Sequence, residues 1–193
     1  MEKPKKPKLR YDWTLPKIES IYNLSFPELI FQAQTLHRQF HEVDEIQGCQ
    51  LLSIKTGGCP EDCAYCPQSA HYITGLEREQ LLSVTKTLEA AQNAKVSGAT
   101  RFCMGAAWRE VPNGKQFDQV LEMVKGVRGF GLEACCTLGM LTAEQAQKLA
   151  EAGLTAYNHN LDTSPEFYGD IISTRTYNDR LQTLQNVRNA GVT

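Results

Sequence analysis

Apolar residues follow two alternating spacings along the chain, one typical of strands and one typical of helices. Period-two or continuous apolar runs predict strands over 51–55, 100–106, 132–137 and 155–160. Each predicted strand is followed by a segment in which apolar residues recur every three or four positions, which predicts helices over 77–97, 116–127, 142–152 and 177–190. A further helix is predicted over 25–42, ahead of the first strand. The chain therefore divides into four strand and helix units.

Four consecutive βα units with short connections favour a parallel sheet with helices outside it. No glycine-rich phosphate loop follows the first strand, which disfavours a dinucleotide-binding fold. We therefore predict an α/β protein with a (β/α) TIM-type barrel. A closed barrel takes roughly 250 residues, and the region from residue 51 onward holds about 140. We expect a truncated barrel of about the first four βα units plus an N-terminal helix.

Composition limits the classes of partner. The chain has 193 residues with a formal net charge of -2, so it offers no basic field for nucleic acid. No apolar run approaches the roughly 20 residues that a bilayer span needs, and no secretory signal precedes the first helix. We predict a basic tail over 1–20, a barrel domain over 21–193 that is incomplete at its C-terminus, and small-molecule partners.

Cys59, Cys63 and Cys66 stand in the spacing C-x3-C-x2-C on one loop after the first strand. Iron–sulfur clusters usually take four thiolates, so three indicate either a distant fourth ligand or an iron left open for a small molecule. A structural zinc site is the alternative, with His71 as its fourth ligand. A disulfide framework is disfavoured because seven cysteines are an odd number and no secretory signal is present.

Two further cysteines lie on predicted strands. Alternation places Cys103 on the same face of its strand as Arg101, and it places Cys135 and Cys136 on opposite faces of the next strand. Lone cysteines on buried strands usually act as small hydrophobic residues. From the residues alone, metal binding by Cys103 and Cys135 stays open.

The fourth predicted strand ends in polar residues. Alternation places Asn158, Asn160 and Asp162 on one face, opposite His159 and Leu161. The carboxyl ends of barrel strands carry the active sites of barrel enzymes. We therefore expect these two amides and the carboxylate to line a binding site.

Several segments together resemble the biotin synthase family of radical S-adenosylmethionine (SAM) enzymes. The similarity lies in the cysteine loop with the aromatic residue Tyr65 before its last cysteine, the Arg-Phe-Cys strand, the Gly-Leu-Glu-Ala-Cys segment and the Tyr-Asn-His-Asn-Leu-Asp strand, at 51–68, 100–108, 131–135 and 157–164. It covers nearly everything after the basic tail. It implies a radical SAM barrel and a SAM-dependent sulfur insertion that converts dethiobiotin to biotin.

The resemblance also implies the metal ligands. Cys59, Cys63 and Cys66 would hold a 4Fe-4S cluster, whose open iron binds SAM. Cys103 and Cys135 would be two ligands of a second, 2Fe-2S cluster that donates the sulfur, with Arg101 facing it. Two remaining cysteines, Cys49 and Cys136, match no family ligand and are interpreted as structural or incidental.

The same resemblance assigns cofactor and substrate contacts. Tyr65 would lie against the adenine of SAM, and Asn160 and Asp162 would meet its ribose. Asn160 would also reach the dethiobiotin ring, with Asn158 nearby. A reductase or flavodoxin-type protein would supply the electron, and family members are expected to form homodimers. The expected location is cytoplasmic, or the mitochondrial matrix in a eukaryote.

The remaining ligands of the second cluster, a cysteine and an arginine, follow later in the family than Thr193. The resemblance therefore implies an N-terminal portion that is inactive in biotin formation by itself. An open half barrel would leave a strand edge exposed, so we expect self-association or low solubility.

Two rival hypotheses remain. Another radical SAM barrel enzyme, such as a hydrogenase-maturation or methylornithine-forming enzyme, would share the loop but not require Cys103 and Cys135. A non-catalytic module would bind zinc through the cysteine triplet and have no SAM site.

Overall fold

The computed structural model describes Arg10 and residues 12–193, and the chain forms two compact units, Met1–Ile46 and Gln47–Thr193. The first unit contains helices α1 (Leu15–Tyr22) and α2 (Phe26–Phe40), each with a proline in its first turn. The hydrophobic pattern predicted α2 but not α1, which lies largely within the predicted tail. The rest of that tail, apart from Arg10 and residues 12–14, lies outside the described residues. The predicted division at residue 20 stays a prediction.

The second unit is built on a four-stranded parallel sheet whose strands lie in chain order. Its elements are β1 (Cys49–Lys55), α3 (Val84–Val96), β2 (Arg101–Ala106), α4 (Lys115–Gly129), β3 (Glu133–Thr137), α5 (Ala143–Glu151), β4 (Ala156–Tyr157), α6 (Tyr168–Ile171) and α7 (Tyr177–Asn189). Sequential order without reversal is the order of a barrel wall, whereas doubly wound folds reverse direction at a switch point. The predicted α/β class and the four βα units are confirmed.

Side-chain caps set where three of the helices begin. The Ser83 hydroxyl accepts from Lys86 N at the start of α3, and capping boxes open α5 at Thr142 and α7 at Thr176. The prediction that the helix after β1 begins at residue 77 was wrong. Residues 77–82 form no helix, because Glu79 N donates to Thr56 O and Leu82 N to Ile54 O, at 3.0 and 2.8 Å. That segment covers part of the outer edge of β1.

The hydrophobic core lies between the sheet and its helices. Phe102 and Met104 of β2 have no exposed surface, and the α4 residues Val120 and Val124 belong to the same buried cluster. The other face of β2 carries Cys103 and its neighbours two residues away, as the strand alternation predicted. Among the described residues, no helix has the length and apolar character that a membrane span needs.

Strand β4 is shorter than predicted. It pairs with β3 at only Ala156 and Tyr157, although the pattern predicted a strand over 155–160. The Tyr157 hydroxyl accepts from Leu138 N at 3.1 Å and donates to Gly139 O. These two bonds hold the end of β4 against the residues that directly follow β3. On its other side, Tyr157 N donates to Thr193 O at 2.8 Å. The polar residues after Tyr157 therefore lie in a loop.

The alanine substitution of Phe102 tests where the core lies. Removing this fully buried ring is expected to lower the free energy of unfolding by about 3–5 kcal/mol, because it leaves a cavity between β2 and the helices. Leu51→Ala is the matched control: Leu51 lies on the neighbouring strand but is 68% exposed, so the expected loss is below about 1 kcal/mol. Urea unfolding followed by circular dichroism measures both. Equal losses would contradict this placement of the core.

Candidate metal and cofactor site

A cavity of about 470 Å³ opens where the four strands end at their carboxyl side. Its size lies within the range of small-molecule sites. It brings together the predicted first-cluster, SAM and substrate residues, which are Cys59, Cys63, Tyr65, Cys66, Asn158, Asn160 and Asp162. The predicted second-cluster residues Cys103 and Cys135 do not line it. They lie on the inner face of the sheet, deeper along the strands.

Two glycines let the cysteine loop (residues 56–70) leave β1 sharply. Gly57 and Gly58 have φ of 70° and 67°, in the left-handed region that side chains rarely adopt. A Cβ on Gly57 would also lie only 2.8 Å from Glu77 O. Lys55 braces the turn, since its Nζ donates to both Gly57 O and Ala107 O at 3.0 Å.

The cysteine loop closes on its own backbone. Cys59 N donates to Gln68 O at 2.9 Å, and Ala70 N donates to Cys59 O at 2.7 Å. Cys66 N donates to Cys63 O at 3.0 Å, which places the last two cysteines on one turn. These bonds bring three thiols from an irregular segment into fixed positions on one cavity wall.

Asp62 ties the cysteine loop to the α6–α7 loop (residues 172–176), 111 residues later in the chain. Ser173 N and Thr174 N donate to Asp62 Oδ1 at 2.9 and 3.2 Å, and both hydroxyls also donate to this carboxylate. Hydrogen bonds from Ser173, the largest influence, and from Thr174 hold the pKa of Asp62 well below its ordinary value. No motif in the sequence pointed to this clamp.

Two arginines and a buried carboxylate lie beside the thiols. Glu61 is 2% exposed and lies between Arg109, at 3.5 Å, and Arg175, at 3.7 Å. Arg175 Nη2 is 3.6 Å from Cys63 Sγ. Burial raises the pKa of the Cys59 and Cys63 thiols, and the Arg175 charge acts against that rise. The guanidinium therefore favours the thiolates that metal binding requires.

A second buried ion pair also lines the cavity. Arg180 of α7 donates through Nη2 to Asp162 Oδ2 and through Nε to Tyr168 Oη at 3.0 Å. Burial, and then the nearby Asp162 carboxylate, raise the pKa of Tyr65. Tyr65 and Asp162, which the resemblance assigned to one ligand, line the same cavity. The sequence analysis missed Arg180, since its position in a helical pattern does not show which way it points.

His159 corrects the predicted alternation. The pattern placed it opposite Asn158 and Asn160, but all three line the same cavity, because β4 ends at Tyr157 and the residues beyond it are not a strand. His159 is buried, and its Nε2 has no hydrogen-bond partner among the described residues. Burial, with the charges of Arg180 and Arg175, lowers its pKa to about 3. The ring is therefore neutral at physiological pH.

The three loop thiols line one cavity and match in number the protein ligands of an iron–sulfur cluster that keeps one iron open. Within Arg10 and residues 12–193, no three His, Cys, Asp or Glu side chains are already arranged to hold a metal ion. His71, the fourth ligand of the zinc alternative, has Nε2 3.0 Å from Pro60 O. Three thiols on one cavity wall with an adjoining polar pocket fit a cluster that keeps an open position.

The strand cysteines form a separate group. Cys103 and Cys135 are direct partners in the β2–β3 register, and Cys136 is fully buried in the core on the other face. Burial and the neighbouring Cys135 thiol raise the pKa of Cys103 to about 11. Arg101 lies next to them and pairs with Glu133 at 2.7 Å.

The pH dependence of stability tests the Asp62 clamp. The folded-state pKa of Asp62 is depressed, so its contribution is present above the unfolded value near 3.9 and is lost as the pH falls towards the folded pKa. Asp62→Asn is expected to cost about 1 kcal/mol at pH 7 and progressively less below pH 4. Urea unfolding between pH 3 and pH 7 measures the difference.

Glu122→Gln is the matched control, because this carboxylate is exposed on α4 away from the site. Its effect on the free energy of unfolding at pH 7 should be below about 0.5 kcal/mol. A difference between wild type and Asp62→Asn that stays constant from pH 7 to pH 3 would contradict the clamp.

Residues 53–193 match the Radical SAM superfamily. A biotin synthase of Myxococcus xanthus is 62% identical over 184 residues, which are 95% of this chain and 53% of that protein. A biotin synthase of Saccharophagus degradans is 64% identical over 184 residues, which are 95% of this chain and 52% of that protein. The chain spans about half the length of the curated relatives it matches.

Solved structures show the same fold at low identity. Methylornithine synthase superimposes with a TM-score of 0.72 at 15% identity, over 94% of this chain and 54% of that one. A maturase of the [FeFe]-hydrogenase superimposes with a TM-score of 0.67 at 17% identity, over 89% of this chain and 40% of that one. These likenesses confirm the predicted TIM-type barrel architecture. The superfamily match covers most of the chain and includes the cysteine loop, so the chain belongs to the Radical SAM superfamily.

Proposed function

We propose that this chain is the cofactor-binding part of a biotin synthase, an enzyme that converts dethiobiotin to biotin by radical sulfur insertion. The observation that carries the proposal is one cavity that joins the three loop thiols to Asn158, Asn160 and Asp162. Relatives at 62–64% identity that are named biotin synthase support it. The second pair of thiols, Cys103 and Cys135, lies on the adjoining inner face of the sheet.

In this proposal, Cys59, Cys63 and Cys66 hold a 4Fe-4S cluster whose open iron takes SAM. When bound, the cluster and SAM would together supply one-electron cleavage of the SAM sulfonium and, through it, hydrogen abstraction from an unactivated carbon. The chain's own residues carry the thiols on one loop, bury Cys63 and provide positive charge. Arg175 provides this positive charge, since its guanidinium lies 3.6 Å from Cys63 Sγ.

Polar side chains across the cavity would orient the ligands. Asp162 has its carboxylate already fixed by Arg180, so its remaining acceptor capacity points in a set direction for the ribose hydroxyls. Tyr65, which lines the same cavity as Asp162, would lie against the adenine. Asn160 would reach both the ribose and the ureido ring of dethiobiotin, with Asn158 beside it. Neutral His159 offers one more unpaired ring nitrogen.

Cys103 and Cys135 would be two ligands of the 2Fe-2S cluster that donates sulfur. This pair favours biotin synthase over the other radical SAM barrel enzymes, because a single-cluster reaction does not require thiols at this place. The electron donor, a reductase or flavodoxin-type protein, the homodimer and the cytoplasmic location stay predictions. The predicted inactivity of the chain by itself and its self-association also stay predictions.

Electron paramagnetic resonance tests the SAM site. The chain is reconstituted anaerobically with iron and sulfide, reduced, and measured with and without SAM. A 4Fe-4S signal that changes on SAM addition is expected, because SAM would chelate the open iron. Cys63→Ala should abolish the signal, whereas Cys136→Ala, a buried cysteine on the core side of the sheet, should keep it. Tight binding of zinc with no cluster formation would favour the metal-binding module instead.

Dethiobiotin distinguishes the proposed reaction from other radical SAM chemistry. Adding it to the reduced, SAM-loaded chain should accelerate SAM cleavage to 5'-deoxyadenosine, measured by chromatography, because the substrate supplies the hydrogen atom. Asn160→Ala should reduce this stimulation at least about tenfold, with the cluster signal retained. A SAM-responsive cluster that ignores dethiobiotin would point to another substrate.

A further inference from the structure

Tyr168 lies behind the cavity and is connected to two of its sides. This α6 residue is 3% exposed and does not line the cavity itself. Its ring belongs to a small buried apolar group with Cys63 and Ile172. Its hydroxyl accepts from Arg180 Nε at 3.0 Å, and Arg180 in turn holds Asp162. One side chain therefore joins the cysteine loop to the Asp162 side of the cavity.

The Tyr168 hydroxyl helps to fix the plane of the Arg180 guanidinium. That group is planar and donates in fixed directions, so two acceptors at different nitrogens determine its orientation. Asp162 accepts from Nη2, and Tyr168 accepts from Nε. Without the hydroxyl, Asp162 would be the remaining hydrogen-bond partner of the Arg180 side chain within the described residues. The ion pair would then be free to rotate as a unit.

The single turn of α6 also holds the cysteine loop. Tyr168 and Ile171 are the first and last residues of this turn, and Ala64 N donates to Ile171 O at 3.0 Å. The same short element therefore supports the thiols through its backbone and the Asp162 carboxylate through the Tyr168 hydroxyl. These are the two groups that the proposed function assigns to the iron–sulfur cluster and to the SAM ribose.

We propose that Tyr168 is a positioning residue for SAM, which fixes Arg180 and through it the Asp162 carboxylate at a set place relative to Cys63. The inference rests on the proposed function for the identity of the ligand. The connection from Tyr168 to Asp162 is a property of the chain without any ligand.

Tyr177, the first residue of α7, provides a matched control. Its ring lies edge-on to Tyr168 with the centroids 5.5 Å apart, and it packs against the same apolar group. In the described part of the chain its hydroxyl makes no hydrogen bond with Arg180. Tyr177→Phe therefore makes the same chemical change beside Tyr168 and leaves the ion pair held.

SAM binding to the reconstituted cluster tests the positioning role. Tyr168→Phe should give the 4Fe-4S signal at the wild-type amplitude, because the ring beside Cys63 is kept. It should need at least about fivefold more SAM to change that signal, because the ribose acceptor is no longer held in place. Tyr177→Phe should alter neither quantity. An unchanged SAM requirement in Tyr168→Phe, a loss of cluster signal, or equal effects of the two substitutions would overturn the proposal.

A double-mutant cycle tests the connection in the chain without iron or SAM. Tyr168→Phe and Asp162→Asn should each lower the urea midpoint of unfolding, and the double variant should lower it by less than the sum, because both substitutions act on Arg180. The same cycle with Tyr177→Phe should be additive. Additive shifts for Tyr168→Phe would overturn the proposal. A non-additive cycle in a chain that shows no SAM response would keep Tyr168 as the residue that positions Asp162 and refute only the proposed function.

Discussion

The position of the three loop thiols depends on one carboxylate, Asp62. The cysteine loop has little regular secondary structure, and its internal backbone bonds do not attach it to the rest of the molecule. The Asp62 carboxylate makes that attachment by accepting from Ser173 N and Thr174 N, and Ala64 N donates to Ile171 O at 3.0 Å in the same contact. The loop after the first strand is thereby held by the loop before the last helix. A parallel sheet makes this possible, because it brings the carboxyl ends of all its strands to one edge.

Charged side chains at this edge of the sheet lie beside the cysteine thiols. Glu61 is buried between Arg109 and Arg175, so the arginine nearest Cys63 is itself held in place by an anion. A carboxylate buried without such partners would be costly, and an arginine without the carboxylate would be free to turn away from the thiols. The arrangement holds the positive charge of Arg175 beside Cys63. Anionic iron–sulfur chemistry benefits from such a field, since bound thiolates repel one another.

Local patterns predicted most of the framework, and long-range contacts account for what they missed. The faces of β2 followed from alternation, and glycine after the helix predicted the end of α3, because both signals depend on neighbouring residues. The true start of α3 at Val84 was missed because the segment before it is drawn into hydrogen bonds with β1.

The site showed the same division between local and distant signals. Spacing and resemblance singled out the cysteine triplet and the asparagines, and the structure brings these residues to one cavity. Arg175 and Arg180 were missed, because no nearby residue indicates that a guanidinium in or before a helix turns inward to meet Cys63 or Asp162. His159 was assigned to the wrong face because alternation holds only while the strand continues.

Asp162 is the non-glycine residue with a left-handed backbone among those the structure describes, with a φ of 70°. Apart from glycine, asparagine and aspartate adopt this conformation at the lowest cost. Of these three residue types, only aspartate also supplies the charge that Arg180 binds. The left-handed backbone and the ion pair thus each restrict which residue can stand at position 162. Almost no substitution there preserves both. A library of variants that broadens ligand choice at this cavity would best hold residue 162 constant and vary the asparagines.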